Sequence, residues 1–176
     1  IDPALLDLCT EPEFLNARKK IEAYFSSIIT LLRHSKSPTD MYRKRADRML
    51  TFVEMSGTCF GYSQNGTCGN AIGSVLRKTI LNTIKDLMSE GDADPVLFEL
   101  LGVFQEGVGC DRVSDLITFI LREDILQYTQ RISKLARVDL ISVSLGHKTY
   151  KICENPYNNK PLLLLPSVIL SPLPVA

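Results

Sequence analysis

The period of the apolar residues changes near residue 136, and that change constrains the fold more than any motif. Phe14, Ile21, Phe25, Ile28 and Leu32 recur at helical spacing, one buried helix face running to about Arg33. Leu76, Ile80, Ile84 and Leu87 repeat the pattern between about Ser74 and Ser89. Asp94-Pro95 starts a further helix with Leu97, Leu100, Leu101 and Phe104 on one side. From Val113 through Leu116, Ile117, Ile120, Ile125, Tyr128, Ile132 and Leu135 the spacing predicts one long helix or two broken near Arg122. After that, Val138 to Leu145 is rich in β-branched residues, Gly146-His147 reads as a turn, and Thr149 to Cys153 can return antiparallel. Asn155-Pro-Tyr-Asn-Asn159 is a second turn, and Leu162 to Leu165 reads as a third strand. The expected class is therefore α+β, a mainly helical N-terminal two-thirds with a small C-terminal antiparallel β-meander.

Local signals punctuate the helices. Thr10-Glu11-Pro12-Glu13 has the form of a capping box with proline in the first turn. Ser37-Pro38 opens a strongly basic helix through Arg43-Lys44-Arg45 and Arg48, and Thr51 to Glu54 and Thr58 to Tyr62 read as short extended pieces. Residues 57–73 hold five of the ten glycines, which predicts a loop suited to a ligand lid or a partner contact. Gly91 and Gly107-Val-Gly109 break the chain again, and Asp111 is placed to cap the helix that follows.

The 176 residues carry 20 Lys+Arg against 20 Asp+Glu, with 45% apolar and 23% charged residues. Those proportions exclude a disordered tail, a disulfide miniprotein and a globally basic nucleic-acid binder. They fit one α+β domain over residues 1–176, expected to be a piece of a longer protein because the chain starts at Ile1-Asp2-Pro3. The last 16 residues lack charge but hold four prolines, so they form no membrane helix, and no membrane partner is expected. Five cysteines, an odd number without a C-x-x-C pair, read as reduced thiols of a cytoplasmic protein rather than a zinc site. In that compartment Asn65-Gly66-Thr67 marks a turn rather than a glycosylation site.

Charge is segregated although it sums to zero. Residues 11–50 carry nine basic and five acidic groups, residues 86–124 two basic and ten acidic, and residues 131–160 six basic and two acidic. Solvated helix faces account for such blocks, and so does an acidic block facing a basic one, within the chain or across subunits.

Two stretches carry candidate chemistry. Gly69-Asn-Ala-Ile-Gly73-Ser74 lacks the spacing and the lysine of a P-loop, but Arg77 and Lys78 in the first turn of the next helix suit a simple phosphate contact. Around the glycine turn at 107–109, Glu106, Asp111 and Asp115 are the second candidate: Asp111 and Asp115 share a helix face, and Glu106 approaches across the turn. Three carboxylates can hold Mg²⁺ for phosphodiester hydrolysis, with Arg112 orienting phosphate. Against this, Asp111 fits a cap, Asp115 suits the helix dipole, and no downstream acidic-x-Lys pair completes a restriction-type nuclease. No serine sits in G-x-S-x-G, and His34 and His147 are placed at a helix end and a turn. The basic helix at Arg43-Lys44-Arg45 and Arg48 can touch nucleic-acid phosphates, though only Tyr42 supplies aromatic company.

The runs Phe98 to Asp115 (FELLGVFQEGVGCDRVSD), Asn155 to Pro166 (NPYNNKPLLLLP) and Phe60-Gly-Tyr-Ser-Gln-Asn-Gly66 resemble segments of an uncharacterised family of bacterial proteins. The resemblance covers about a quarter of the chain and implies bacterial origin. It assigns no activity, but it draws interest to Asp111, Arg112 and Asp115. The reading is a bacterial cytoplasmic domain of unknown activity, an interaction or regulatory module. Its expected partner is protein, either the rest of the parent chain or another subunit, with nucleic acid as a second class. The alternative is a metal-dependent nuclease or other phosphodiester-processing enzyme at Glu106–Asp115. The cofactor is unknown, and Mg²⁺ belongs to that alternative only.

Overall fold

The computed structural model describes residues 1–52, 55, 57, 73–89 and 110–171, and of Cys110, Asp111 and Arg112 it describes the backbone. Within those residues five α-helices come first: α1 (Ala17–His34), α2 (Met41–Met49), α3 (Ser74–Ser89), α4 (Cys110–Ile120) and α5 (Arg122–Ala136). An antiparallel hairpin follows, β1 (Leu140–Leu145) and β2 (Lys148–Cys153). The fold is α+β, as the change of period requires. The expected helix after Asp94-Pro95, the extended piece Thr58 to Tyr62 and most of the glycine-rich loop lie outside the described residues.

Helix α1 is central. Its Ile21, Phe25, Ile28 and Leu32 are buried as the spacing predicts, joined by Ala17 and Ile29, and it packs against α2, α3 and α4. It does not start at the capping box. Pro12–Phe14 is a separate 3₁₀ turn, and Glu13, which would serve the cap, accepts from Arg131 of α5, as does Glu11. A charge-assisted bridge to a distant helix has taken the side chain that a local cap would have used. Phe14 is buried there, edge-on to Tyr128 with ring centroids 5.8 Å apart.

Helix α2 starts three residues later than Ser37-Pro38 suggests. Asp40 is its cap: Oδ1 accepts from the Arg43 amide at 2.7 Å, while Oδ2 accepts from the amides of Lys36 (2.7 Å) and Ser37 (2.9 Å) and from the Ser35 hydroxyl (3.1 Å). One carboxylate thus ties the turn after α1 to the first turn of α2. From the other side, Lys85 Nζ of α3 donates to the Ser35 carbonyl at 2.8 Å.

The long apolar run after Val113 resolves into two helices, α4 and α5, broken at Leu121, beside Arg122 as expected. Leu121 is fully buried, its amide bonds the Ile117 carbonyl at 2.9 Å, and its own carbonyl accepts from Ile125 at 3.0 Å. The joint is therefore one buried residue that keeps both of its own i→i−4 bonds. Arg137, in the left-handed conformation with φ 55°, ends α5.

The hairpin pairs Leu140 with Cys153 through to Leu145 with Lys148, and Gly146 takes the positive φ of 58° that the two-residue loop demands. The third strand expected at Leu162 to Leu165 does not form. A single bridge joins Glu154 and Pro161, and the next three amides go to three different acceptors: Cys153 O, Gly57 O and Thr129 Oγ1. The reason is that α5 already occupies the free edge of β2. Gln130 Oε1 accepts from the Lys151 amide at 2.8 Å and Ser133 Oγ accepts from the Cys153 amide at 3.1 Å. Side chains one helical turn apart thus shield the edge that another strand would have paired with. Gly57, at φ 108°, lies so close to this segment that a Cβ would come within 2.4 Å of the Pro161 carbonyl oxygen.

These elements share one apolar core, which runs from Leu6 through α1, α3, α4, α5 and β2 to Ile169. Among the described residues, no helix is long and apolar enough to cross a membrane.

Candidate functional site

Helix α2 is too basic to be a core helix, and it buries only two residues, Ala46 and Arg43. Arg43 is 6% exposed and reaches across to α3, where Nη1 donates to the Leu81 carbonyl at 3.1 Å. Nη2 donates to the Lys78 carbonyl at 3.2 Å and to Asn82 Oδ1. Those helix carbonyls keep a second lone pair beside their ladder bond, so a planar fork of donors can dock on a helix side without breaking it. Burial pulls the Arg43 pKa below its ordinary value, and the charges of Asp47, Asp40 and Asp86 oppose that. The guanidinium stays charged, as arginine in proteins does.

Between α2 and α3 runs a groove of about 310 Å³. Arg43, Lys44 and Arg48 line it from α2 and Lys78 from α3, Pro38 gives apolar surface, and the buried Leu81 lies at its floor. Its one carboxylate, Asp47, is held by Arg77, whose Nε lies 3.1 Å from Oδ1 and whose Nη2 lies 3.5 Å from Oδ2. Lys44, Arg48 and Lys78 are exposed, and none of the three pairs with a carboxylate among the described residues. Lys44 and Arg48 stand one helical turn apart, an arrangement of like charges that costs the helix a few tenths of a kcal/mol, about 0.2–0.5. What the groove offers chemically is donors and positive charge.

The two basic features of the sequence therefore meet in one place. Arg43, Lys44 and Arg48 of the basic helix face Lys78 of the next, while Arg77 turns aside to Asp47 as a bridge between the helices. Arg45 is exposed and does not line the groove. Of the acidic candidates, Glu106 lies outside the described residues, as do the side chains of Asp111 and Arg112. Helix α4 begins at Cys110, which makes Asp111 a first-turn residue rather than the cap. Asp115 follows one turn later, partly buried and with a partner of its own.

Several charged residues do work that their spacing did not announce. Asp124 is buried on α5, where Oδ1 accepts from Lys20 Nζ of α1 and Oδ2 has no hydrogen-bond partner. Burial raises its pKa above the ordinary value, with Lys20 opposing. Glu123 beside it takes Lys148 of β2. Only the segregation of charge hinted at these contacts, since residue spacing cannot report a pair 104 positions apart. Asp40 was more accessible: an aspartate just before a helical run is an N-cap signal.

No curated protein and no solved structure matches the chain. A family model described as a domain of unknown function (DUF8370) matches residues 1–176, and the chain belongs to that family.

Proposed function

We propose that the chain is an interaction module, a bacterial cytoplasmic domain that takes an anionic group of a protein partner into the groove between α2 and α3. The observation that carries the reading is the convergence of Lys44, Arg48 and Lys78 on one concavity without a carboxylate partner among the described residues. Cations gathered in this way repel one another, and an anion supplied from outside relieves that repulsion. The compartment is supported by an odd number of cysteines and by Cys9 and Cys153, both buried as free thiols.

The test is a chemical-shift titration of the ¹⁵N-labelled chain with a hexaglutamate peptide, a hexaglutamine peptide and a short DNA duplex. Shifts should cluster at Lys44, Arg48 and Lys78 with hexaglutamate alone, and should vanish in high salt and in the K44E/R48E/K78E variant. Shifts elsewhere, or none, overturn the reading, and a stronger response to the duplex assigns the groove to nucleic acid instead.

A further inference from the structure

The charge and shape of the groove also identify the kind of anion. Resting on the reading above, we infer that the groove is a phosphoryl site: it takes a phosphate monoester carried on an organic group, rather than a carboxylate.

Charge is the first argument. The lining holds four cations, Arg43, Lys44, Arg48 and Lys78, and one carboxylate, Asp47. Asp47 is bridged to Arg77 and its charge acts on the buried Arg43, which leaves the exposed Lys44, Arg48 and Lys78 without a carboxylate partner among the described residues. One carboxylate brings a single negative charge and leaves most of this excess standing. A phosphate monoester brings about −1.5 to −2 at neutral pH together with three strong acceptor oxygens.

Donor geometry is the second. Lys44 and Arg48 project from successive turns of one helix and Lys78 from the helix opposite, so three separate donors approach from two sides. A tetrahedral phosphoryl group meets such an arrangement with one oxygen for each, while a planar carboxylate has two oxygens in one plane. Arg43 is the positioning residue. Its guanidinium, fixed to the carbonyls of Lys78 and Leu81, sets α2 against α3 and forms a wall whose charge is held in place before any ligand arrives.

Size and field complete the case. A volume of about 310 Å³ exceeds what a bare phosphate fills, and the exposed Pro38 supplies apolar contact for the group that carries it. A polyanion is a poorer fit. Nucleic-acid binding spreads phosphate contacts along a basic stripe, whereas Lys44, Arg48 and Lys78 converge on one concavity of a chain with net charge zero.

The experiment is calorimetric titration of the chain with an acetylated, amidated phosphoserine pentapeptide, with its serine and glutamate counterparts, and with free O-phosphoserine. The phosphopeptide should bind about tenfold tighter than the glutamate peptide, and the serine peptide should not bind. K44Q, R48Q and K78Q should each weaken phosphopeptide binding by about three- to tenfold, while R45Q, on the same helix but outside the groove, leaves it unchanged. All four residues are exposed, so these variants keep the fold. If free O-phosphoserine binds as tightly as the phosphopeptide, the source of the phosphoryl group is a small molecule and the site assignment stands. Equal affinity for the glutamate and phosphoserine peptides overturns the phosphoryl assignment and leaves the interaction module intact. Binding of neither overturns both.

Discussion

At the scale of the residue, Asp40 and Asp124 are two aspartates driven in opposite directions by their surroundings. Asp40 accepts four hydrogen bonds, three from amides and one from a hydroxyl, and these hold its pKa well below the ordinary carboxylate value. Asp124 has lost water to burial and has one oxygen without a hydrogen bond, so its pKa is raised. Linkage gives each a sign. The depressed pKa of Asp40 adds stability that is fully present above the ordinary carboxyl value and is lost as acid protonates the folded form. Asp124 acts the other way: its contribution is present in acid and is lost as pH rises through its folded value. Asparagine at position 40 keeps a capping oxygen but cannot hold a charge. D40N should therefore be less stable than the parent at neutral pH, with the gap closing between about pH 5 and pH 1. Urea midpoints across that range check it, and a gap that widens in acid would contradict the assignment.

At the scale of the element, α2 and α3 are fastened by two arginines of unlike character. Arg77 makes a part-exposed salt bridge to Asp47, a kind of contact worth about 0–1 kcal/mol. Arg43 is buried, with three acceptors on α3. Replacing it by methionine keeps the unbranched apolar stem but removes every donor. R43M should lose about 1.5–3 kcal/mol, seen as a lower urea midpoint at unchanged slope. It should also weaken any anion at the groove, because the wall it forms then carries no charge. A stability loss under 0.5 kcal/mol, the size expected of about any surface change, would demote Arg43 to a bystander.

Among the described residues, the helices, the hairpin and its turn were legible in the sequence because they rest on period and on glycine, both of which are local. The false capping box, the missing third strand and the tie at Arg43 were not, for a common reason. Glu13 looked like a cap until Arg131 arrived from 118 positions away. Leu162 to Leu165 looked like a strand until Ser133 and Gln130 occupied the edge it needed. The basic helix and the pair Arg77-Lys78 were both visible as cations, but their meeting in one groove depends on how α2 crosses α3. Whether Glu106, Asp111 and Asp115 converge is a question about residues or side chains that lie largely outside those described.

Over the whole molecule, the segregated charge is partly settled within the chain. Asp124 and Glu123, at the end of the acidic block, take Lys20 and Lys148 from the basic blocks on either side. Glu11 and Glu13 take Arg131. The cations of α2 are not settled in this way. Arg43 spends its donors on carbonyls, and Lys44 and Arg48 meet no carboxylate among the described residues. Among the described residues this leaves a concave, positive place between α2 and α3, and the central claim is that a phosphoryl group belongs in it. A crystal structure of the chain with the phosphoserine pentapeptide tests this most directly. The account predicts phosphoryl oxygens within about 3 Å of donors on Lys44, Arg48 and Lys78. A phosphoryl group held elsewhere on the surface, with the groove between α2 and α3 empty, would contradict it.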